Sequence, residues 1–111
     1  MKRGKYSRIR VTPAFEVAYT ELSAYLHRSS PLAFMALPAA MTTILDTIDS
    51  HPCAWPVRRK VIGDREVEFH MAIIPLAYRR MHFRYLVDGE KVAHLLAIWV
   101  DGHDEPTYWS L

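Results

Sequence analysis

The chain has 111 residues, half of them apolar, with 14 basic and 12 acidic side chains and a formal charge of +2. That length holds one domain, 1–111, with one core, and the composition is neither disordered nor fibrous. Cys53 alone excludes an internal disulfide or a multi-cysteine zinc site; no uncharged apolar run reaches about 18 residues and no signal-type segment appears, so a cytoplasmic protein without a membrane span is expected.

From Tyr6 to Val11, Ser7, Ile9 and Val11 alternate with Tyr6, Arg8 and Arg10, which predicts a half-buried strand. Thr12 followed by Pro13 is a cap-then-proline helix start. Phe15, Ala18, Tyr19, Leu22, Tyr25 and Leu26 then recur at helical spacing, with Glu16 and Glu21 on the wet side. Ser30-Pro31 repeats the signal and opens a second helix. Met41, Ile44, Leu45 and Ile48 form its apolar stripe, and Pro38 is expected to kink or split it. His51 to Pro56, bracketed by prolines, is a loop.

The second half changes period. Glu66, Glu68 and His70 alternate with Val67, Phe69 and Met71, and Pro75 to Ala77 interrupts. Tyr78, Arg80, His82 and Arg84 then alternate with Arg79, Met81, Phe83 and Tyr85. Asp88-Gly89 reads as a hairpin turn. Val92 to Val100 is apolar on both faces apart from His94, as in a central strand. The expected fold is α+β: an antiparallel β-sheet with an N-terminal helical hairpin packed on one face, in the order β-α-α-β-β-β.

If the last three strands form a meander, Glu66, Glu68, His70, Arg80, His82 and Arg84 share the sheet face opposite the helices. Carboxylate, imidazole and guanidinium together supply a general base, a general acid and a phosphate clamp, the groups needed for RNA cleavage through the 2′-hydroxyl. A solvated sheet face laced with Glu–Arg pairs is the plain alternative. The six histidines are scattered, with no helical i, i+4 pair, so no metal or other cofactor is expected. His94 reads as a hydrogen-bonded core histidine. His103, Glu105, Tyr108 and Trp109 follow the last strand, where Tyr108 can stack on a base.

Several stretches resemble the RelE/ParE superfamily, the toxins of bacterial type II toxin–antitoxin pairs. They are Arg10 to Glu16, Tyr19 to Tyr25, Ser30-Pro31 leading to Leu45–Asp49, Tyr78 to Tyr85, Asp88 to Val92, Leu95 to Val100 and Gly102-His103. The resemblance implies a metal-independent, ribosome-dependent mRNA endonuclease. Arg80 takes the place of the phosphate-contacting arginine, Glu68 that of an acidic base, and His103 and Tyr108 fall in the catalytic C-terminal segment. Arg58, Arg59, Lys60 and Arg84 are expected to attract RNA and ribosome. The implied partners are a cognate antitoxin, the ribosome and mRNA. A ParE-like inhibitor of DNA gyrase that binds through the helical hairpin, or an inactive binding relative, is the alternative. The chain departs from the RelE-like pattern where Asp104-Glu105-Pro106 follows Gly102-His103.

Overall fold

The computed structural model describes residues 6–103 as two helices against a five-stranded sheet. In chain order the elements are β1 (Ile9–Val11), α1 (Pro13–Ser29), α2 (Pro31–Ser50), β2 (Val57–Ile62), β3 (Arg65–Leu76), β4 (Arg79–Val87) and β5 (Ala93–Val100). The sheet runs β1-β5-β4-β3-β2. The α+β fold with its helical hairpin agrees with the sequence reading.

Thr12 makes the first corner. Its Oγ1 accepts from the Phe15 N–H at 3.2 Å, capping α1, and donates to the Leu95 carbonyl of β5 at 2.6 Å. One buried hydroxyl thus ties the helix start to the sheet. The second helix begins without a break: the Ser30 N–H closes α1 on the Leu26 carbonyl, and the Ser30 carbonyl accepts from Phe34. Pro38 lies inside α2, which stays one helix through it. Among described residues α2 alone is long and apolar enough to cross a membrane, but one third of that apolar window is buried inside the domain. Ala33, Leu37, Met41, Ile44, Leu45 and Ile48 form its core face.

The core lies between the hairpin and one face of the sheet. Phe15, Leu22 and Leu26 of α1 meet Phe83 and Met81 of β4 and Leu95 and Ile98 of β5, with Phe15 and Phe83 rings 5.3 Å apart. β5 is central, as its two apolar faces predict. The partner on its free side is β1, which pairs parallel to it, Ile9 opposite Ala93 and Val11 opposite Leu95. The sheet is therefore mixed, four strands antiparallel and one parallel.

Three local readings are corrected. β2 was not expected, because its residues Val57 to Val61 are all exposed and show no alternation. β3 runs through Pro75, which pairs with Arg80. β2 reaches along β3 only as far as His70, so the rest of β3 has an open side where a residue lacking N–H is tolerated. The β4–β5 connection is not a two-residue Asp-Gly turn. Asp88 Oδ1 accepts from the Glu90 and Val92 N–H groups at 2.8 and 3.0 Å, and the positive φ falls on Lys91, at 65°.

Candidate functional site

β4 opens with Arg79 and Arg80, neighbours on an extended strand whose side chains leave opposite faces of the sheet. Met81 pairs with Val100, so the chain leaving β5 as Asp101, Gly102 and His103 passes beside both arginines. The Asp101 N–H donates to the Arg80 carbonyl at 3.1 Å. This sheet end gathers two small clusters, one on each face.

On the face away from the helices, one carboxylate serves two bases. Arg80 Nε donates to Asp101 Oδ2 at 2.8 Å, and His82 Nε2 lies 2.7 Å from Asp101 Oδ1. The His82 ring stacks on Trp99, with centroids 5.2 Å apart and planes within 7°. The bond to His82 first, and to Arg80 second, holds the Asp101 carboxyl below its ordinary range. The Arg80 side chain is nonetheless 69% exposed.

On the helix side, Tyr25 of α1 is the hub. Arg79 Nη1 donates to Tyr25 Oη at 2.8 Å and lies 3.5 Å from the Asp101 carbonyl. Tyr25 Oη donates to the Gly102 carbonyl at 3.4 Å, and its ring stacks on His103 at 4.5 Å. The hydrogen bond from Arg79 draws the Tyr25 phenol below its ordinary value. Gly102 makes the approach possible: its φ of +87° is a conformation that side-chain-bearing residues avoid. A cation, a phenol and an imidazole thus sit together beside a bend in the backbone.

The structure brings Arg80 and His103 to the same end of the sheet, on opposite faces: Arg80 bonds Asp101, and His103 follows Asp101 by two residues. It does not bring Glu68 there. Arg80 is opposite Pro75 on β3, and Glu68 is seven residues further back, roughly 23 Å at strand spacing. Glu68 instead forms an exposed ion pair with Arg59 Nε at 2.8 Å across β2–β3. Nor do Glu66, Glu68 and His70 share a face with Arg80, His82 and Arg84. His70 pairs with Tyr85 and Ile73 with His82, so the even positions of β3 match the odd positions of β4.

His70 is buried, stacked on Tyr85, with Nδ1 2.7 Å from the Trp55 carbonyl. Tyr85 donates to the Pro52 carbonyl at 2.7 Å, and burial pushes its phenol up to about 12. The two rings pin the 51–56 loop to the sheet, so His70 has a packing role. Arg84 was expected at the RNA surface. It is fully buried, its guanidinium carbon 5.4 Å from the Trp99 ring centre. Arg58, Arg59 and Lys60 are exposed on β2, at the far edge of the sheet from β5, and form a separate basic patch. Tyr108, with Glu105 and Trp109, lies outside the described residues.

Sequence reasoning missed Tyr25, Arg79 and Asp101. Tyr25 reads as one more position of an apolar helix stripe, and the paired arginines at the strand start were the available signal. His94 is hydrogen-bonded as expected, but to Asp88 Oδ2 at 2.9 Å on the face away from the helices. Among the described residues no group of three or more His, Cys, Asp or Glu side chains is arranged to hold a metal ion. Set against known proteins, the chain matches no family model, no curated protein and no solved structure.

Proposed function

We propose that the chain is the toxin of a type II toxin–antitoxin pair of the RelE/ParE kind, cleaving messenger RNA on the ribosome in the cytoplasm. The observation that carries this reading is the meeting of a guanidinium, an imidazole and a phenol on the helix side of the end of β5, formed by Arg79, His103 and Tyr25, with a second guanidinium, Arg80, on the opposite face of the same end. RNA cleavage of this class needs a base to take the ribose 2′-hydroxyl proton. The oxygen attacks phosphorus, the bond to the 5′-oxygen breaks, and an acid returns a proton to that leaving oxygen, giving a 2′,3′-cyclic phosphate. His103 exchanges the protons, with Arg79 beside it on the helix side, and the exposed Arg80 holds the RNA by a backbone phosphate from the other face of the same sheet end. Asp101 offsets Arg80 through their ion pair, whereas Arg79 is bonded to a phenol and a backbone carbonyl instead of an acid. The partner is an antitoxin whose acidic segment covers this basic end.

A second reading has its own support. The helical hairpin exposes Val17, Leu32 and Met35, a surface through which a ParE-like inhibitor would grip gyrase. Purified ribosomes translating a reporter mRNA separate the two. Mapping of 5′ ends is expected to show new cuts, with Arg80→Ala and His103→Ala each lowering cleavage by about 100-fold or more. Unchanged cleavage in both variants removes the site assignment. No new ends, together with loss of gyrase supercoiling, establishes the second reading instead.

A further inference from the structure

The outward face of α2 is unusual for a helix already packed on a core. From Pro31 to Leu45 it contains no charged residue, and its exposed positions include Leu32 and Met35, 57% and 76% exposed. Pro38, Ala39, Thr42 and Thr43 continue the exposed row. The two threonine hydroxyls are already bonded to the Pro38 and Ala39 carbonyls, both at 3.1 Å, which leaves little polar function facing outward. A solvated helix ordinarily carries its charges on this face.

Charge is instead placed at the two ends, with opposite signs. Arg28, in the last turn of α1, lies beside the start of α2, where the neighbouring His27 ring meets the Phe34 ring edge-on at 5.0 Å. Asp46 and Asp49 lie near the other end, where Oδ1 of each accepts a bond, from the Tyr6 hydroxyl at 2.8 Å and the Arg8 N–H at 3.1 Å; the last turn of α2 has no base and its first no acid. Two acids near a helix C-terminus add to the negative end of its dipole rather than offsetting it. From the cation at the end of α1, the surface thus runs apolar and then negative along about 30 Å of α2.

We propose that this face is the interface of a two-fold symmetric dimer in which α2 packs antiparallel against α2 of a second copy. An isologous contact needs a surface complementary to itself after a half-turn. With the axis near Ala39, midway between Leu32 and Asp46, the half-turn lays Arg28 of each copy towards Asp46 of the other. It sets the apolar middles together and opposes the two helix dipoles. Alanines at the crossing, Ala36, Ala39 and Ala40, let the axes approach to the short end of the 8–10 Å range. One helix face is a small contact, so the dimer is weak and its population follows concentration. The inference does not depend on the catalytic reading, because α2 contributes no residue to the sheet end with Arg80 and His103; α1 serves both, through Tyr25 there and Arg28 here.

Sedimentation equilibrium of the full chain is expected to show the mean mass rising from one chain towards two as concentration increases. Arg28→Asp and Asp46→Arg each set like charges against one another and should each raise the dissociation constant about tenfold. Mixed in equal amounts, the two variants restore both attractions and should recover association. That recovery separates a lost interface from a damaged fold. In a Cys53→Ser background, Ala39→Cys should cross-link to itself on oxidation and Leu32→Cys should not. A chain that stays monomeric at every concentration, whatever else this face binds, overturns the proposal; so does dimerisation that the mixture fails to restore.

Discussion

At Asp88 a single carboxylate shapes a turn and holds a histidine. Oδ1 receives two backbone N–H groups and Oδ2 lies 2.9 Å from His94 Nε2. The His94 bond first, and the Val92 N–H next, lower the Asp88 carboxyl from 3.8 to about 2. A folded value below the unfolded one means the ionised form favours folding. This contribution is complete above pH 3.8 and is lost as pH falls towards 2. Asp101 acts with the same sign at the other end of β5, through His82 and Arg80. Asp88→Asn keeps an acceptor for the turn but removes the charge. Its melting temperature is expected to decline less than that of the native chain between pH 4 and pH 2, as thermal unfolding followed by circular dichroism would show. An equal decline would mean that the carboxylate's ionisation does not stabilise the fold.

At the scale of elements, Thr12 joins three of them. Thr12→Val removes the cap of α1 and leaves the buried Leu95 carbonyl without its donor, at a cost of about 2 kcal/mol. A urea titration reads this as a lower midpoint with an unchanged slope. The cap and both Ser/Thr-Pro helix starts were legible because they are local: each signal spans four residues. The strand β2 was not, since every residue of Val57 to Val61 is exposed and carries no period-two pattern. Its place in the sheet comes from pairing with β3, a non-local fact. The same limit governed the site. Alternation along β3 and along β4 was correct within each strand, but their relative register decides which faces coincide, and a one-residue shift exchanges them. Glu68 and His70 therefore left the constellation, while Tyr25 entered it from a helix whose packing no spacing rule could show.

For the whole molecule, the two sheet faces and the hairpin divide the surface into separate regions. Cations stand at the end of β4 and along β2, with the uncharged face of α2 elsewhere. Raising salt screens exposed charges within about 10 Å at 0.1 M. Cleavage by the β4–β5 end, if it depends on attraction of RNA to Arg80, should fall steeply with salt, whereas the α2 contact, which loses only the attraction of its end charges, should weaken less. Measured side by side, mean mass and cleavage rate are expected to diverge as ionic strength increases, and a parallel decline would place both activities on one surface.

The strand order carries a kinetic consequence. β2, β3 and β4 are joined by short connections and can pair as soon as each is formed, but Ile9 finds its partner only at Ala93. Contacts so distant in sequence form late, because the chain must close a long loop before it gains from them. β5 must therefore take its place beside β4 before β1 has an edge to join. Pulse-labelled hydrogen exchange during refolding should protect the amides of β3 and β4 first and those of β1 last, with the Thr12 corner closing in the same step as β1. A chain that buried its first strand first would require another route to this sheet.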